Sequence, residues 1–195
     1  MPKLYFRHGT VGSSKTLELL RVSYNYTQQG KKVILIKPKI DTRFGELTIK
    51  TRVGLSQDAD ILSGNNTDIY TEVLSLLEKQ QIRNVDIHCV LVDEVNFMSK
   101  KNIYGLRQIV NLLHIPVIAY GLKTDYLGEL FEGSSYMLAW ADSIEEIKIT
   151  CQYCNSKAIM NLKLQDGKPV TSGSKEVDLG CEEKYVPVCS KHFHL

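Results

Sequence analysis

Eight residues near the amino terminus, Gly9, Thr10, Val11, Gly12, Ser13, Ser14, Lys15 and Thr16, have the types and spacing of a phosphate-binding loop. Backbone N–H groups that converge at the start of a helix meet the positive end of its dipole, and an anion settles there. A lysine placed as Lys15 is reaches β- and γ-phosphates, and a hydroxyl placed as Thr16 is ligates Mg²⁺. The usual pattern has glycine before the lysine. Ser14 stands there instead and brings a Cβ and a hydroxyl toward a backbone that phosphate must approach. The same octapeptide also reads as an ordinary polar turn between a strand and a helix.

A second acidic feature favours the first reading. The apolar run Val90-Leu91-Val92 ends in Asp93-Glu94, and a carboxylate at the end of such a strand is where a phosphate-loop protein directs its second group to Mg²⁺. Successive strand residues face opposite sides, so Glu94 is expected to point away from Asp93. A carboxylate at Glu94 has the chemistry to take a proton from water or from an alcohol. Alone, the pair would be two solvated loop carboxylates; after a phosphate loop it specifies nucleotide chemistry. The acceptor stays open between water, in an ATPase, and the alcohol of a small molecule. A two-lobed helicase needs a second motor domain that 195 residues do not hold, and no loop arginine stands out as the finger of a ring ATPase.

The third constellation is Cys151-x2-Cys154 followed, after 34 residues, by Cys189-x2-His192. Paired short spacings of this kind bite a tetrahedral Zn²⁺ from two knuckles, and four protein ligands leave no open position, so the metal is structural. The loop between the pairs becomes a tethered lasso, closed around a subdomain too small to build its own core. Four unrelated reduced side chains are the plain alternative, and His194 rivals His192 as fourth ligand. His8, His88 and His114 flank apolar strands and read as structural.

Composition sets the frame for these sites. The chain is 43% hydrophobic and 24% charged, with 24 Lys and Arg against 22 Asp and Glu, so its net charge of +2 predicts neither a nucleic-acid nor a membrane partner. No apolar run approaches a membrane span, and the start Met1-Pro2-Lys3-Leu4 has no signal-peptide pattern. Five cysteines cannot pair completely. A reduced, cytoplasmic protein is expected.

The elements that must position the sites follow from periodicity. Lys3 to Arg7 reads as a strand. Leu17, Leu20 and Tyr24 recur at helical spacing until Gly30, and Lys32 to Ile36 is a buried strand. Residues 38–67 carry loops and short strands. Ile69, Val73, Leu76 and Leu77 mark a second helix capped by Thr67 or Asp68, and Cys89 to Val92 is a strand. Ser99 caps a third helix through Ile103, Leu106, Val110 and Leu113, and Ile115 to Tyr120 is the next strand. Strands separated by helices predict a parallel sheet with right-handed crossovers. After about Glu146 the pattern changes to short β-like runs with turns at Asp166-Gly167 and Ser172-Gly173. The expected domains are therefore 1–146, a nucleotide-binding core, and 147–195, a zinc-binding lasso.

A phosphate loop, an Asp-Glu strand end and a zinc lasso in so short a chain resemble the small, zinc-containing thymidine kinases. Further segments match that family in order: Lys37 to Phe44, Thr51 to Leu55, Tyr120 to Tyr126, Glu129 to Phe131, and Glu183 to Cys189. The resemblance implies an α/β fold, with a RecA-like phosphate-loop domain whose mostly parallel sheet is flanked by helices. It also implies transfer of the γ-phosphoryl of ATP to the 5′-hydroxyl of thymidine or deoxyuridine, in nucleotide salvage. Glu94 resembles the general base, Thr16 and Asp93 the Mg²⁺ partners and Lys15 the γ-phosphate clamp. ATP contacts are implied for Gly9 to Thr16 and for Asp93, Glu94, Val95 and Asn96. Phe97, Leu122, Tyr126 and Phe131 resemble the pocket around the base, and Tyr185 the lid residue; Phe97 and Phe131 also read simply as core. Arg43 and Arg52 resemble positions near the phosphates or subunit contacts. A homotetramer, inhibited by the end-product triphosphate, is implied as well. Three residues depart from the family: Ser14 and Cys181 replace glycines, and Asn96 replaces glutamine. An active enzyme is still expected, with ATP affinity weakened through Ser14. The competing readings are a nucleotide sensor without activity and a small ATPase.

Overall fold

The structure, a computed structural model, describes residues 1–170, 172–173 and 185–193. Its main sheet has six strands, β1 (Leu4–His8), β2 (Lys32–Pro38), β5 (Ile61–Ser63), β6 (Ile87–Val92), β7 (Val117–Gly121) and β8 (Ser143–Glu146). They run in the order β5-β2-β6-β7-β1-β8, and every pairing is parallel. The helices α1 (Lys15–Gln28), α2 (Ile69–Gln80), α3 (Lys100–Gln108) and α4 (Glu132–Trp140) cover its two faces. A short antiparallel hairpin, β3 (Thr48–Lys50) and β4 (Ser56–Asp58), sits between β2 and β5 in sequence.

Alternation along the strands divides the core. Ile34, Ile36, Val90 and Val92 pack with α2, α3 and α4 on one face; Leu35, Cys89 and Leu91 pack with Leu19 and Leu20 of α1 on the other. Each fully buried aliphatic side chain contributes about 1.5–3 kcal/mol. Helix α1 buries Lys15, Leu19 and Ser23 at four-residue spacing, so the packing that seats Leu19 also draws Lys15 inward. Asp68 caps α2 by accepting from the Thr71 N–H, and Ser99 and Asn102 form a reciprocal capping box on α3. Beyond Gln108 the third helix widens into a π-turn, Ile109–Leu113. Helix α4 was not evident from periodicity: its start is Gly133-Ser134-Ser135, and it is held by tertiary contact through the fully buried Met137.

The second sheet is antiparallel, with order β10-β9-β11, where β9 is Met160–Gln165, β10 is Lys168–Pro169 and β11 is Tyr185–Val188. The turn at Asp166-Gly167 joins β9 to β10, as expected. Among the described residues, a small cluster of Leu162, Val188, Phe193, Cys151 and Cys189 forms the buried core of this unit. No described helix is long and apolar enough to cross a membrane.

Candidate active site

Parallel strands direct their carboxyl ends to one edge, where ligands of open α/β sheets bind. Strand β1 delivers the phosphate loop to that edge, β6 delivers Asp93 and Glu94, β7 delivers Leu122, and β2 leads into Asp41 and Arg43. Together they line a cleft of about 240 Å³.

The phosphate loop is tightly wound. A Cβ on Gly9 would lie 2.4 Å from Ser13 Oγ and 2.7 Å from the Ile147 carbonyl, so only glycine fits. Gly12 has φ 74°, in the left-handed region. Ser14 shares that region with φ 63° and ψ 27°, a conformation disfavoured once a Cβ is present. It caps α1 without a side-chain hydrogen bond, and its side chain is exposed. The Lys15 ammonium donates to the Thr10 carbonyl at 2.8 Å and to Ser13 Oγ at 3.4 Å. The Thr10 hydroxyl is buried with no hydrogen-bond partner among the described residues.

The Thr16 hydroxyl lies 3.1 and 3.3 Å from the two Asp93 carboxylate oxygens, although β7 separates β1 from β6. Burial, reinforced by the charge of Glu94, pushes Asp93 up to about 7, against the pull of Arg43 and the Thr16 hydrogen bond. Glu94 does not point away as strand alternation predicts. The strand ends at Val92, and Glu94 adopts a left-handed conformation, φ 49° and ψ 41°, that turns it into the same cleft as Asp93.

Arg43 supplies the counter-charge. Its Nη2 donates to Glu94 Oε1 at 2.7 Å and to Asp41 Oδ2 at 3.1 Å, and its Nε to Asp41 Oδ1 at 2.7 Å. The guanidinium thus forks between two carboxylates while little exposed. Burial disfavours the Arg43 cation, but Glu94 and Asp41 outweigh it and raise its pKa further. Burial likewise opposes the Asp41 carboxylate, yet Arg43 and then Lys37 hold its pKa below the ordinary range. Lys37 is 1% exposed, and its ammonium donates to the Thr48 carbonyl at 2.9 Å, fixing the hairpin beside the cleft.

The far end of the cleft is aromatic. Phe97 and Phe131 meet edge to face at 5.5 Å, and both line the cleft half-buried rather than closing the core. Tyr126 and Tyr185 stand 6.4 Å apart, with the Lys163 ammonium over each ring at 5.0 and 5.8 Å. Leu122 lines the same end. Tyr185 is anchored as the first residue of β11, paired with Lys163, rather than free in the lasso.

Of the predicted site residues, Val11, Gly12, Ser14, Lys15, Thr16, Asp93, Glu94, Phe97, Leu122, Tyr126, Phe131 and Tyr185 line this one cleft. Gly9, Thr10 and Ser13 are buried within the loop rather than lining the cleft. Val95 and Asn96 are buried beneath the cleft, where Asn96 Oδ1 accepts from the Leu122 N–H at 2.9 Å. The shorter amide therefore keeps a direct hydrogen bond, although its Nδ2 has no partner among the described residues. Arg52 lines the cleft, on the connection between β3 and β4. Lys37, Asp41, Thr51 and Asn161 escaped residue-level reasoning. Asn161 is a buried amide in β9, where asparagine is unfavourable.

The Cys151, Cys154, Cys189 and His192 ligand atoms lie within 4.8 Å of one another. Sγ of Cys154 and Cys189 are 3.8 Å apart, and His192 Nδ1 is 3.5 and 3.3 Å from Sγ of Cys151 and Cys189. Zn–S bonds of about 2.3 Å give a tetrahedron with edges of about 3.8 Å, so the donor set and its spacing fit Zn²⁺. His194 and Cys181 lie outside the described residues.

Comparison with known proteins covers the same features. The family model described as thymidine kinase matches residues 2–193. A thymidine kinase of Streptococcus pyogenes serotype M3 is 44% identical over 193 residues, covering 99% of this chain and 97% of the relative. One of Streptococcus agalactiae serotype Ia is 42% identical with the same coverage. Among solved structures, AMPPCP-bound DnaA from Aquifex aeolicus matches 73% of this chain and 39% of its own at 16% identity and a TM-score of 0.37, too slight a likeness to bear on function. Since the family match spans phosphate loop, acidic strand end and Cys₃His cluster together, the chain belongs to the thymidine kinase family.

Proposed function

We propose that this chain is a phosphotransferase with an alcohol acceptor, moving the γ-phosphoryl of ATP to the 5′-hydroxyl of thymidine, and of deoxyuridine, in nucleotide salvage. One observation carries the reading: the Glu94 carboxylate opens on the same cleft as the Thr16–Asp93 pair, between the phosphate loop and the aromatic end. Glu94 takes the proton of the 5′-hydroxyl, the oxygen bonds to the γ-phosphorus, and the bond to the β-phosphate oxygen breaks to release ADP. Arg43 holds Glu94 in place before substrate enters and leaves a cation beside the transferring group. Lys15 neutralises charge on the γ-phosphate.

Thr16 and Asp93 are the hard oxygen donors that would hold Mg²⁺, which when bound neutralises charge on the β- and γ-oxygens. Phe97, Leu122, Tyr126, Phe131 and Tyr185 enclose the base. Val95 and Asn96 support the site from below. We assign Zn²⁺ to the Cys₃His cluster as a structural ion, residues 1–146 to the catalytic domain and 147–195 to the lasso. A cytoplasmic homotetramer, inhibited by the end-product triphosphate and without nucleic-acid or membrane partners, completes the proposal. Family membership does not favour the sensor or ATPase readings.

The test is incubation with Mg²⁺-ATP and labelled thymidine. Thymidine monophosphate that disappears in Glu94→Ala supports the proposal. Binding without product, or ATP hydrolysis stimulated by DNA, would sink it.

A further inference from the structure

Asparagine is a poor strand residue, yet Asn161 occupies the second position of β9 at 3% exposure. A buried amide is costly unless its donors and acceptors are used. Asn161 spends them on two distant segments: its Oδ1 accepts from the Val11 N–H at 2.8 Å, and its Nδ2 donates to the Thr124 carbonyl at 2.9 Å. The first bond matters for the phosphate loop. The Val11 N–H belongs to the same peptide unit as the Thr10 carbonyl, which accepts from Lys15. In a planar trans peptide the C=O and N–H point in opposite directions, so Asn161 and Lys15 grip one peptide plane from its two sides. If that plane rotated, a carbonyl dipole would be free to turn toward the phosphates, and the anchor of Lys15 would move.

The other end of the tie is the metal cluster. Asn161 pairs with Pro187 of β11, two residues before Cys189, and the Ile159 N–H donates to the Val188 carbonyl at 2.9 Å. The Cys₃His cluster closes the unit whose sheet carries this amide.

We propose that Asn161 is a positioning residue for ATP: it fixes the Thr10–Val11 peptide and thereby makes the zinc-supported unit part of the phosphate loop's scaffold. The inference rests on the kinase reading above.

The test uses full-length, zinc-loaded Asn161→Ala and Asn161→Ser, since a serine hydroxyl cannot span both partners. The KM for ATP is expected to rise about tenfold, the size of one lost hydrogen bond that holds a ligand loop. Because Thr124 lies between Leu122 and Tyr126, the KM for thymidine should rise too, but by less than that for ATP; zinc content should match wild type, and deuterium exchange should quicken in the peptide containing Val11. An unchanged KM for ATP, equal rises in both KM values, or variants that do not fold would overturn the positioning role. A wild-type protein that takes ATP while the variants match it defeats this inference alone. A wild-type protein that takes no ATP defeats the kinase reading as well.

Discussion

Replacing Ser14 with glycine tests how the phosphate loop trades strain for chemistry. Ser14 sits at φ 63° and ψ 27°, where a Cβ costs roughly 1–2 kcal/mol. Glycine removes that cost but makes the unfolded chain freer, by about 0.5–1 kcal/mol. The serine side chain is exposed and makes no capping hydrogen bond, so little else is lost. The net gain is about 0–1.5 kcal/mol, which in a chain of this size raises the melting temperature by up to about 6 °C. Because Ser14 lines the cleft beside Lys15, removing its Cβ also widens the approach to the loop amides, and the KM for ATP should fall about two- to fivefold. Thermal unfolding and ATP saturation at fixed thymidine measure the two effects. A lower melting temperature together with an unchanged or higher KM would refute the reasoning, and would mean that the hydroxyl serves the nucleotide directly.

Two further outcomes follow from the charged and metal clusters. Arg43→Ala leaves Asp41 and Glu94 without their shared partner and should cost about 3–5 kcal/mol in denaturant unfolding. Because Asp41's pKa is depressed in the fold, its pairing stabilises fully above the unfolded carboxylate value and is lost as pH falls through the depressed one. In Arg43→Ala, stability should therefore fall less between pH 5 and pH 3 than in wild type. For the metal, elemental analysis should find one Zn²⁺ per chain. Cys154→Ser should lower zinc content and quicken exchange across β9 and β11 before the main sheet is affected.

What could be read from the residues alone was whatever is local. The phosphate loop is eight consecutive positions, the zinc ligands come in short pairs, and the stripes of α2 and α3 recur at helical period. In α1, by contrast, the expected stripe of Leu17, Leu20 and Tyr24 keeps only Leu20 buried, and the inner face runs through Lys15, Leu19 and Ser23. Four features were hidden because they depend on distant segments or on backbone shape. Glu94 was expected to diverge from Asp93, since alternation holds only while the strand lasts, and the left-handed turn after Val92 reverses it. The Arg43 fork joins residues 51 positions apart, and the Asn161 tie joins positions 150 apart. Helix α4 begins with weak helix formers and exists because Met137 packs into the core, which periodicity does not report.

The account turns on Glu94 as the group that accepts the acceptor's proton, and Glu94→Gln tests it most directly. The amide preserves size and still offers Arg43 an oxygen but cannot take a proton. With Mg²⁺-ATP and thymidine both saturating, kcat should drop by about 10²- to 10⁴-fold while both ligands bind within about twofold of wild type. A variant that keeps most of its kcat would place proton removal elsewhere and contradict the account.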